Sequence, residues 1–379
     1  MTRGSGQPMT PDVLIVGAGP AGAVAAIVLA RAGARVLVLD RARFPRPKLC
    51  GDTINPGALR VLHRLGLAGV VEGGRPIRGM IVTGGGARVV GPYRVAEGAA
   101  LTRSILDARL VGAARAAGAA VEEGALVHGP LMDETGRRVA GVRVRTAGGE
   151  HRITAPVTIA ADGHFSRLAR AVRLSRSTAW PRRWAIGGYF ESVSGLGAFG
   201  EMHVRPDHYI GVAPMPDGSA NACLVTAGTA RLREPDPLRA ALLADPALRE
   251  RFAAARPLGA PVRLGPLAVD ATRAGMPGLL LAGDAAGFVD PMTGDGLRFA
   301  FRGGELAAAA AAGVLRDGWR DAEARLARAR QAEFGAKCRF NRTLRALVGS
   351  PLAVRAAGAG ASIVPAAVRR VIQYAGDVR

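Results

Sequence analysis

Residues 12–40 have the sequence pattern of one βαβ unit. The apolar segment Val13–Val16 is followed by the turn Gly17-Ala18-Gly19-Pro20-Ala21-Gly22 and an alanine-rich helix to about Arg31. A second apolar segment, from Arg35, ends at Asp40. A G-x-G-x-x-G turn that joins a strand to a helix offers backbone amides and the positive end of the helix dipole to a pyrophosphate. An acid at the end of the second strand bonds the adenosine ribose.

The three glycines of this turn have different predicted roles. Gly17 permits the tight turn, and Gly19 lets the backbone approach the pyrophosphate. Gly22 allows close packing of the helix on the strand. The alternative, an ordinary strand-to-helix turn built from small residues, does not explain Asp40.

The positive charge of the chain has a compositional explanation. The 379 residues, 49% hydrophobic, predict two or three domains, and the formal net charge of +21 suggests nucleic acid or an anionic membrane as a partner. Only Lys48 and Lys337 are lysines, so the charge is almost all arginine and reflects a skewed composition. Aromatic residues, at 4%, give few surfaces for base stacking. We therefore expect no specific nucleic-acid partner, with a nucleic-acid binder or a non-catalytic scaffold as the alternative.

Cysteine and histidine usage predicts neither disulfides nor a metal site. Cys50, Cys223 and Cys338 form no C-x-x-C pair, and the six histidines show no metal-ligand spacing. The uncharged run Val13–Ala30 contains the glycine turn, which argues against a signal peptide or a membrane span. A cytoplasmic protein is expected.

The remaining pattern predicts an α/β fold with a discontinuous Rossmann-like domain. A helix is expected at Ser104–Ala117, and buried strands at Val157–Ala161 and Leu279–Ala282. Gly-rich, alternating segments suggest an inserted antiparallel sheet that binds substrate. The expected boundaries are 1–75, 100–175 and 265–320 for the nucleotide-binding domain, 76–99 and 176–264 for the insert, and 321–379 for a C-terminal helical segment.

Two further motifs follow buried strands. The first is Asp162-Gly163, and the second runs from Gly283-Asp284 through Pro291 to Gly294-Asp295-Gly296-Leu297. Together with the glycine turn, they resemble the three hallmarks of FAD-dependent oxidoreductases with the aromatic-hydroxylase fold, whose FAD domain is of the glutathione-reductase type. All three occur in order across nearly the whole chain.

This resemblance implies roles for individual residues. Asp284 would bond the ribityl or pyrophosphate part of FAD, and the Gly294–Leu297 amides would face the flavin pyrimidine and stabilise negative charge there. Asp162 and Gly163 would touch FAD and the approach of NAD(P)H, the expected electron donor. The expected cofactor-binding residues are Gly17, Gly19, Pro20, Ala21, Gly22, Asp40, Arg41, Lys48, Cys50, Gly51, Arg103, Val127, Asp162, Gly163, Gly283, Asp284, Pro291, Gly294, Asp295, Gly296 and Leu297.

Alternatives stay open for four of these residues. Arg103 matches an arginine that reaches FAD, but it also suits a solvated helix cap. Val127 falls where the fold meets the adenine, and is equally an ordinary strand residue. Asp162 and Asp284 are also compatible with simple turn formation at strand ends.

The segment Pro45-Arg46-Pro47-Lys48-Leu49-Cys50-Gly51 looks like the P-x-x-K-x-C-G stretch of geranylgeranyl reductases. The resemblance implies that the Cys50-Gly51 backbone lies near the flavin. Arg46 and Lys48 are expected to lower the pKa of Cys50, which makes this thiol the candidate catalytic group. The alternative is a small residue chosen for packing.

Two stretches depart from related patterns. Tyr209–Pro214 has an extra residue and no tryptophan relative to the Y-G-W-x-x-P-like stretch of polyprenyl reductases, which argues against a lipid substrate. Residues 180–184 do not match the W-x-W-x-I-P stretch of flavin halogenases, so halogenation is not expected.

Two enzymatic hypotheses use all of these motifs. In the first, reduced FAD transfers hydride to or from a hydrophobic, isoprenoid or polyketide substrate, with NAD(P)H as the electron source. In the second, a monooxygenase hydroxylates an aromatic or polyketide substrate through a flavin hydroperoxide. The Lys48–Gly51 segment favours the first. The acid-free basic tail at 334–372 suggests peripheral contact with an anionic membrane, and the alternative is a helix packed on the catalytic domain.

Overall fold

The structure is a computed structural model that describes residues 10–177, 182–288, 290–348, 350 and 365–376. Trp180 and Pro181, from the stretch compared with halogenases, lie outside the described residues. So do residues 351–364 of the basic tail.

The predicted βαβ unit forms the centre of a six-stranded sheet. Strand β1 pairs in parallel with β2 on one side and with β12 on the other. All four residues of β1 are buried, which explains an apolar run without alternation. The order is β21-β22-β12-β1-β2-β8, with bounds Gly275–Met276 (β21), Leu279–Leu281 (β22), Val157–Ala160 (β12), Val13–Val16 (β1), Val36–Asp40 (β2) and Ala120–Glu123 (β8).

Each face of this sheet is covered by a different layer. Helices α1 (Pro20–Arg31), α3 (Arg103–Ala116) and α7 (Gly296–Asp317) contribute to the larger hydrophobic core. The other core contains side chains of an antiparallel three-stranded sheet. Its strands are β9 (Leu126–Met132), β10 (Val139–Thr146) and β11 (Gly149–Thr154).

The predicted insert forms an eight-stranded sheet. Its strands are β5 (Gly79–Gly84), β6 (Ala87–Pro92), β14 (Arg183–Glu191), β15 (Gly200–Val204), β16 (His208–Pro214), β17 (Ala220–Ala227), β18 (Arg256–Pro257) and β19 (Val262–Leu264). The strands pair antiparallel, as predicted, except that β15 runs parallel to β5. These strands come from separate stretches of the chain, so no hairpin forces them to be antiparallel.

The remaining elements are short, apart from two C-terminal helices. They are β3 (Thr53–Ile54), β4 (Arg75–Ile77), β7 (Gly98–Ala100), β13 (Ser175–Ser177), β20 (Val269–Ala271), α2 (Pro56–Arg64), α4 (Arg167–Ala171), α5 (Pro237–Ala244), α6 (Arg249–Phe252), α8 (Ala322–Val348) and α9 (Pro365–Ala375). Among the described helices, none combines the length and apolarity that crossing a bilayer requires. The predicted α/β class, with a discontinuous Rossmann-type sheet, is confirmed.

Helix α7 offers a direct test of how closely it packs on α1. A Cβ at Gly304 would overlap the Ala21 carbonyl oxygen, whereas one at Gly313 of the same helix would meet nothing within 4 Å. We expect Gly304→Ala to lower the free energy of unfolding by about 2 kcal/mol through overpacking. Gly313→Ala should raise it by about 0.5–1 kcal/mol, because alanine favours a helix interior. Urea unfolding of both variants measures this; equal effects would show that the two sites are equally open.

Candidate active site

A single large cavity of about 960 Å³ joins the six-stranded sheet to the insert and to the C-terminal helices. It begins at the glycine turn after β1, where ligands of open α/β sheets bind. It ends against α8 and α9, whose residues Leu344, Leu347, Val371 and Ile372 form part of its wall. The cavity therefore has a polar end at the turn and an apolar end at the helices.

The glycine turn at the polar end has the geometry that its sequence predicts. Gly17 has φ of +100°, and a Cβ there would overlap the Ala161 carbonyl. A Cβ at Gly19 would have only the Arg46 guanidinium nearby, at 3.7 Å, so this backbone is open to the cavity. Gly22 packs on the Gly17 carbonyl and does not line the cavity, which fits its predicted packing role.

Asp40 fixes the turn as well as lining the cavity. Its Oδ2 accepts a hydrogen bond from the Ala18 amide at 2.7 Å, and its Oδ1 accepts one from Ala42 at 2.8 Å. The carboxylate is thereby held beside the end of β2, where a ribose hydroxyl is expected.

Two arginines share one buried carboxylate at this end. Arg103 donates to both oxygens of Asp107, at 2.7 and 2.8 Å, and Arg46 Nη2 lies 3.2 Å from Asp107 Oδ2. Both guanidiniums line the cavity, whereas Asp107 is fully buried. The two guanidiniums and the one carboxylate of this group carry a net charge of +1, and such a group suits a pyrophosphate. Arg103 is therefore no solvated cap residue, and Arg46 is a candidate ligand that the sequence analysis used only as a neighbour of Cys50.

The Asp162-Gly163 and Gly283-Asp284 motifs lie on adjacent walls of the cavity. Asp162 Oδ2 accepts from the Arg167 amide at 2.8 Å, while its Oδ1 is buried and has no partner among the described residues. Burial raises the pKa of Asp162 and lowers the pKa of Lys48, which faces Asp284. A bound ligand that hydrogen-bonds to Asp162 would satisfy the orphaned oxygen.

Helix α7 starts at the cavity. Gly294, Gly296 and Leu297 line the wall there, and Gly294 has φ of +67°. The first-turn amides of a 22-residue helix form a partly positive surface suited to a group that gains negative charge. Asp295 does not line the cavity: its carboxylate points to Asn55 at 3.2 Å and to Lys337 at 3.3 Å.

A cluster of buried polar side chains anchors the Cys50-Gly51 segment. Asp52 Oδ2 accepts from the Tyr189 hydroxyl at 2.5 Å and from Asn221 Nδ2 at 2.7 Å. The same Asn221 amide donates to the Cys50 carbonyl at 2.9 Å. Burial raises the pKa of Asp52 to about 6, although both hydrogen bonds act in the opposite direction.

The expected low pKa of Cys50 is wrong. Burial raises the pKa of this thiol, and the negative charge of Asp52 adds to the effect, while Arg103 opposes it. Cys50 lines the cavity, and its raised pKa favours the protonated thiol over the thiolate. A protonated thiol can donate a proton.

All but two of the predicted cofactor-binding residues line this one cavity. Gly22 and Asp295 are the exceptions, while Pro20, Ala21, Arg41, Gly51, Val127, Gly283 and Pro291 lie in the wall as expected. Asp52, Tyr189 and Asn221 were missed. They meet across 137 to 169 residues of sequence, and no local pattern signals such an encounter.

The far end of the cavity is apolar. Tyr209 closes one side and donates its hydroxyl to Asp290 at 2.6 Å, so its ring rather than its polar end faces the lumen. The other apolar lining residues include Ile77, Met80, Val82, Val89, Met202, Val204, Val212, Val225, Leu264, Leu267, Phe288, Met292, Val348, Val368 and Ile372.

The polar end fits FAD. The open backbone at Gly19, the arginine pair, the orphaned oxygen of Asp162 and the start of α7 offer donors and acceptors of the kinds that a flavin dinucleotide requires. No group of three or more His, Cys, Asp or Glu side chains suited to a metal ion occurs within the described part of the chain.

The raised pKa of Asp52 has a consequence for stability. The folded protein binds this proton more tightly than the unfolded chain, so the contribution of Asp52 to stability falls as pH rises from about 4 through 6. The free energy of unfolding of Asp52→Asn relative to wild type should therefore rise by about 2 kcal/mol between pH 4.5 and 7.5. Urea titrations of both proteins at the two pH values measure this change. The hydrogen bonds lost in Asp52→Asn lower its free energy of unfolding equally at both pH values, so they cancel in the comparison. A pH-independent difference would contradict the raised pKa.

Comparison with known proteins agrees with this geometry. Residues 10–327 match the model of the family described as FAD binding domain. A menaquinone reductase of Mycolicibacterium smegmatis is 32% identical over 78% of this chain and 75% of its own length. Digeranylgeranylglycerophospholipid reductase 2 of Methanopyrus kandleri is 33% identical over 81% of this chain and 78% of its own length.

Solved structures share the fold. The flavin-dependent brominase Bmp2 superimposes with a TM-score of 0.85 at 23% identity, covering 97% of this chain and 94% of that one. A geranylgeranyl bacteriochlorophyll reductase-like protein of Thermoplasma acidophilum has a TM-score of 0.81 at 22% identity, covering 92% and 90%. The predicted resemblance is confirmed: this chain belongs to the FAD-binding-domain family of flavoproteins and is an FAD-dependent oxidoreductase.

Proposed function

We propose that this enzyme reduces carbon–carbon double bonds in the polyprenyl chain of a hydrophobic substrate. The observation that carries the proposal is the continuity between the polar end of the cavity and a long apolar end lined by the insert and by α8 and α9. An apolar chain gains free energy by leaving water for such a surface, at roughly 25 cal/mol per Å² buried. A polar substrate would leave its hydrogen bonds unmade there.

The names of two relatives support the same substrate class. Menaquinone and digeranylgeranylglycerophospholipid, for which those reductases are named, both carry isoprenoid chains. The departure at Tyr209–Pro214 from the polyprenyl-reductase stretch does not remove the apolar wall, because Tyr209 and Val212 still line it. We also propose that residues 76–99 and 176–264 form the substrate-binding part, and residues 1–75, 100–175 and 265–320 the FAD-binding part.

In the proposed reaction, different residues of the chain have different roles. FAD, when bound, supplies the hydride. The glycine turn, Arg46 and Arg103 hold the pyrophosphate, and the amides at the start of α7 stabilise negative charge on the pyrimidine side. Cys50, kept protonated by its surroundings, donates the proton to the second carbon of the double bond.

We infer that NAD(P)H is the electron source and approaches beside the Asp162-Gly163 motif. Phe165, next to this motif, is 43% exposed, and the Arg170 guanidinium lies over its ring at 5.7 Å from the centroid. Arg167 lines the adjacent cavity wall. An exposed aromatic ring and nearby arginines suit the nicotinamide and phosphates of this donor.

Reduction without oxygen tests the proposed reaction. Under anaerobic conditions, the NADPH-reduced enzyme should convert a geranylgeranyl lipid to products heavier by 2 mass units per double bond reduced, because each reduction adds two hydrogens. Cys50→Ala should keep bound flavin but lose about 100-fold in this rate, as expected for removal of a general acid. Mass spectrometry of the lipid and flavin absorbance give both readouts.

Cys338→Ala is the matched control, since Cys338 lies on α8 and outside the cavity lining. Product that forms only in air and gains 16 mass units would instead identify the monooxygenase alternative. A Cys50→Ala variant with the wild-type rate would exclude the thiol as the proton donor.

We further propose that the cavity mouth between α8 and α9 contacts an anionic membrane. Leu347 and Val371 line the cavity and are 48% and 38% exposed. Arg369 and Arg370, beside Val371 on α9, are exposed as well. Apolar side chains at an opening flanked by arginines suit insertion between anionic headgroups, from which a lipid can enter.

Vesicle binding tests the membrane contact. Leu347→Glu should weaken co-sedimentation with phosphatidylglycerol vesicles by about tenfold, because a carboxylate would enter the apolar layer and be repelled by the headgroups. Leu258→Glu is the matched control, at a residue 47% exposed in the insert and outside the cavity lining. Equal losses of vesicle binding in both variants, or no loss in either, would show that the membrane contact does not lie at Leu347.

A further inference from the structure

The second of the two lysines, Lys337, lies buried where three segments meet. It is 4% exposed and lies on α8. Its ammonium donates to the carbonyl oxygens of Tyr374 and Ala375, the latter at 3.0 Å, at the C-terminal end of α9. The Tyr374 ring also lies 4.7 Å from this ammonium. A buried cation thus neutralises the negative end of the helix that closes the substrate cavity.

The same ammonium pairs with the loop that faces the flavin. Lys337 Nζ lies 3.3 Å from Asp295 Oδ1, and Asp295 is 2% exposed. Gly294 and Gly296, the neighbours of Asp295, line the cavity where the flavin pyrimidine is expected. The Asp295 side chain makes no capping hydrogen bond to the first turn of α7, and its Oδ2 accepts from Asn341 Nδ2 on α8 at 3.4 Å.

Asn55 and Tyr93 join the two sides of this contact. Asn55 Nδ2 donates to Asp295 Oδ1 at 3.2 Å and to Ala375 O at 3.5 Å. A Cβ at Gly376 would overlap the Tyr93 ring, and Tyr93 lines the cavity. Helix α9 also seats Ile372 against β6, where a Cβ on Gly91 would come within 2.6 Å of it. Helix α9 and Gly376, which follows it, therefore contact β6, Tyr93 and Asn55 as well as Lys337.

We propose that Lys337 is a positioning residue: through Asp295 it couples the docking of α9, the far wall of the substrate cavity, to the flavin-facing start of α7. The assignment rests on the proposed function in that α9 closes the site where the polyprenyl chain binds. With α9 docked, the loop at Gly294–Gly296 is held and the apolar cavity is closed. With α9 displaced, both the lipid wall and the flavin loop are loosened together.

The test uses the FAD-loaded full chain and two readouts that need no substrate. The first is hydrogen exchange of residues 365–376. The second is labelling by an amine-reactive ester, where only Lys48, Lys337 and the chain terminus can react. Asp295→Asn should speed both the exchange and the labelling of Lys337 by about tenfold, because a charged buried hydrogen bond is lost.

Variants at Lys337 separate positioning from folding. Lys337→Met should speed exchange of 365–376 and change the visible circular dichroism of bound flavin, and Asp295→Asn should change that spectrum too. Lys337→Arg should restore slow exchange. Arg328→Met, at an exposed residue of the same helix, should match wild type in both readouts. With a polyprenyl substrate, KM should rise about tenfold in Lys337→Met with a smaller change in kcat, since apolar wall is lost.

Slow exchange of residues 365–376 in both Lys337→Met and Asp295→Asn would overturn the proposed role of Lys337 in docking α9. Fast exchange with an unchanged flavin spectrum would overturn the coupling, since α9 would then move without the flavin loop. A wild-type protein that binds no FAD contradicts the proposed function instead. In that case the labelling rates of Lys337 in wild type and Asp295→Asn still decide whether the ion pair holds α9.

Discussion

The close backbone contacts around the start of α1 set the position of everything else in the site. The Gly17 turn touches the Ala161 carbonyl, Gly22 packs on Gly17, and Gly304 brings α7 onto Ala21. None of these approaches leaves room for a side chain. As a result, the N-termini of α1 and α7 open on the same cavity. In the proposed reaction, backbone amides supply most of the electrostatic stabilisation, and they need no reorganisation when charge develops.

The large positive net charge contributes less to partner binding than its size suggests. The arginines at the polar end of the cavity pair with a carboxylate, as Arg103 and Arg46 do with Asp107. Other buried guanidiniums hold the insert on the C-terminal helices: Arg183 bridges Asp290, at 3.0 Å, and the Arg345 carbonyl, at 2.9 Å. Arginine suits these places because its planar donors bind two acceptors at once. Among the described residues few arginines are buried, and the exposed ones with a proposed partner include Arg369 and Arg370 at the cavity mouth.

The basic tail illustrates how tertiary contacts change the meaning of a pattern. Residues 334–372 suggest an amphipathic membrane helix, with packing on the catalytic domain as the alternative. In the structure α8 and α9 pack on the domain, and their apolar residues line the far end of the cavity. Leu347 and Val371 are compatible with both membrane contact and packing on the domain, because they line the cavity and are exposed at its mouth. The two readings of the tail are therefore compatible at this opening.

The sequence by itself predicted a dinucleotide site from the glycine turn, and the resemblance of its three motifs to a known family identified the dinucleotide as FAD. Each motif is a short segment at the end of a strand, where local turn geometry favours glycine and aspartate. The sequence also placed nearly all of the polar lining of the cavity. The protonation state of Cys50 could not be obtained this way, since it depends on burial and on Asp52, which is itself held by Tyr189 and Asn221 from the insert. Nor could the shape of the substrate cavity or the Lys337–Asp295 contact, which join segments 42 residues apart or more. Tertiary structure decided these features, because the energy of a buried charge depends on every group packed around it, wherever in the chain that group arises.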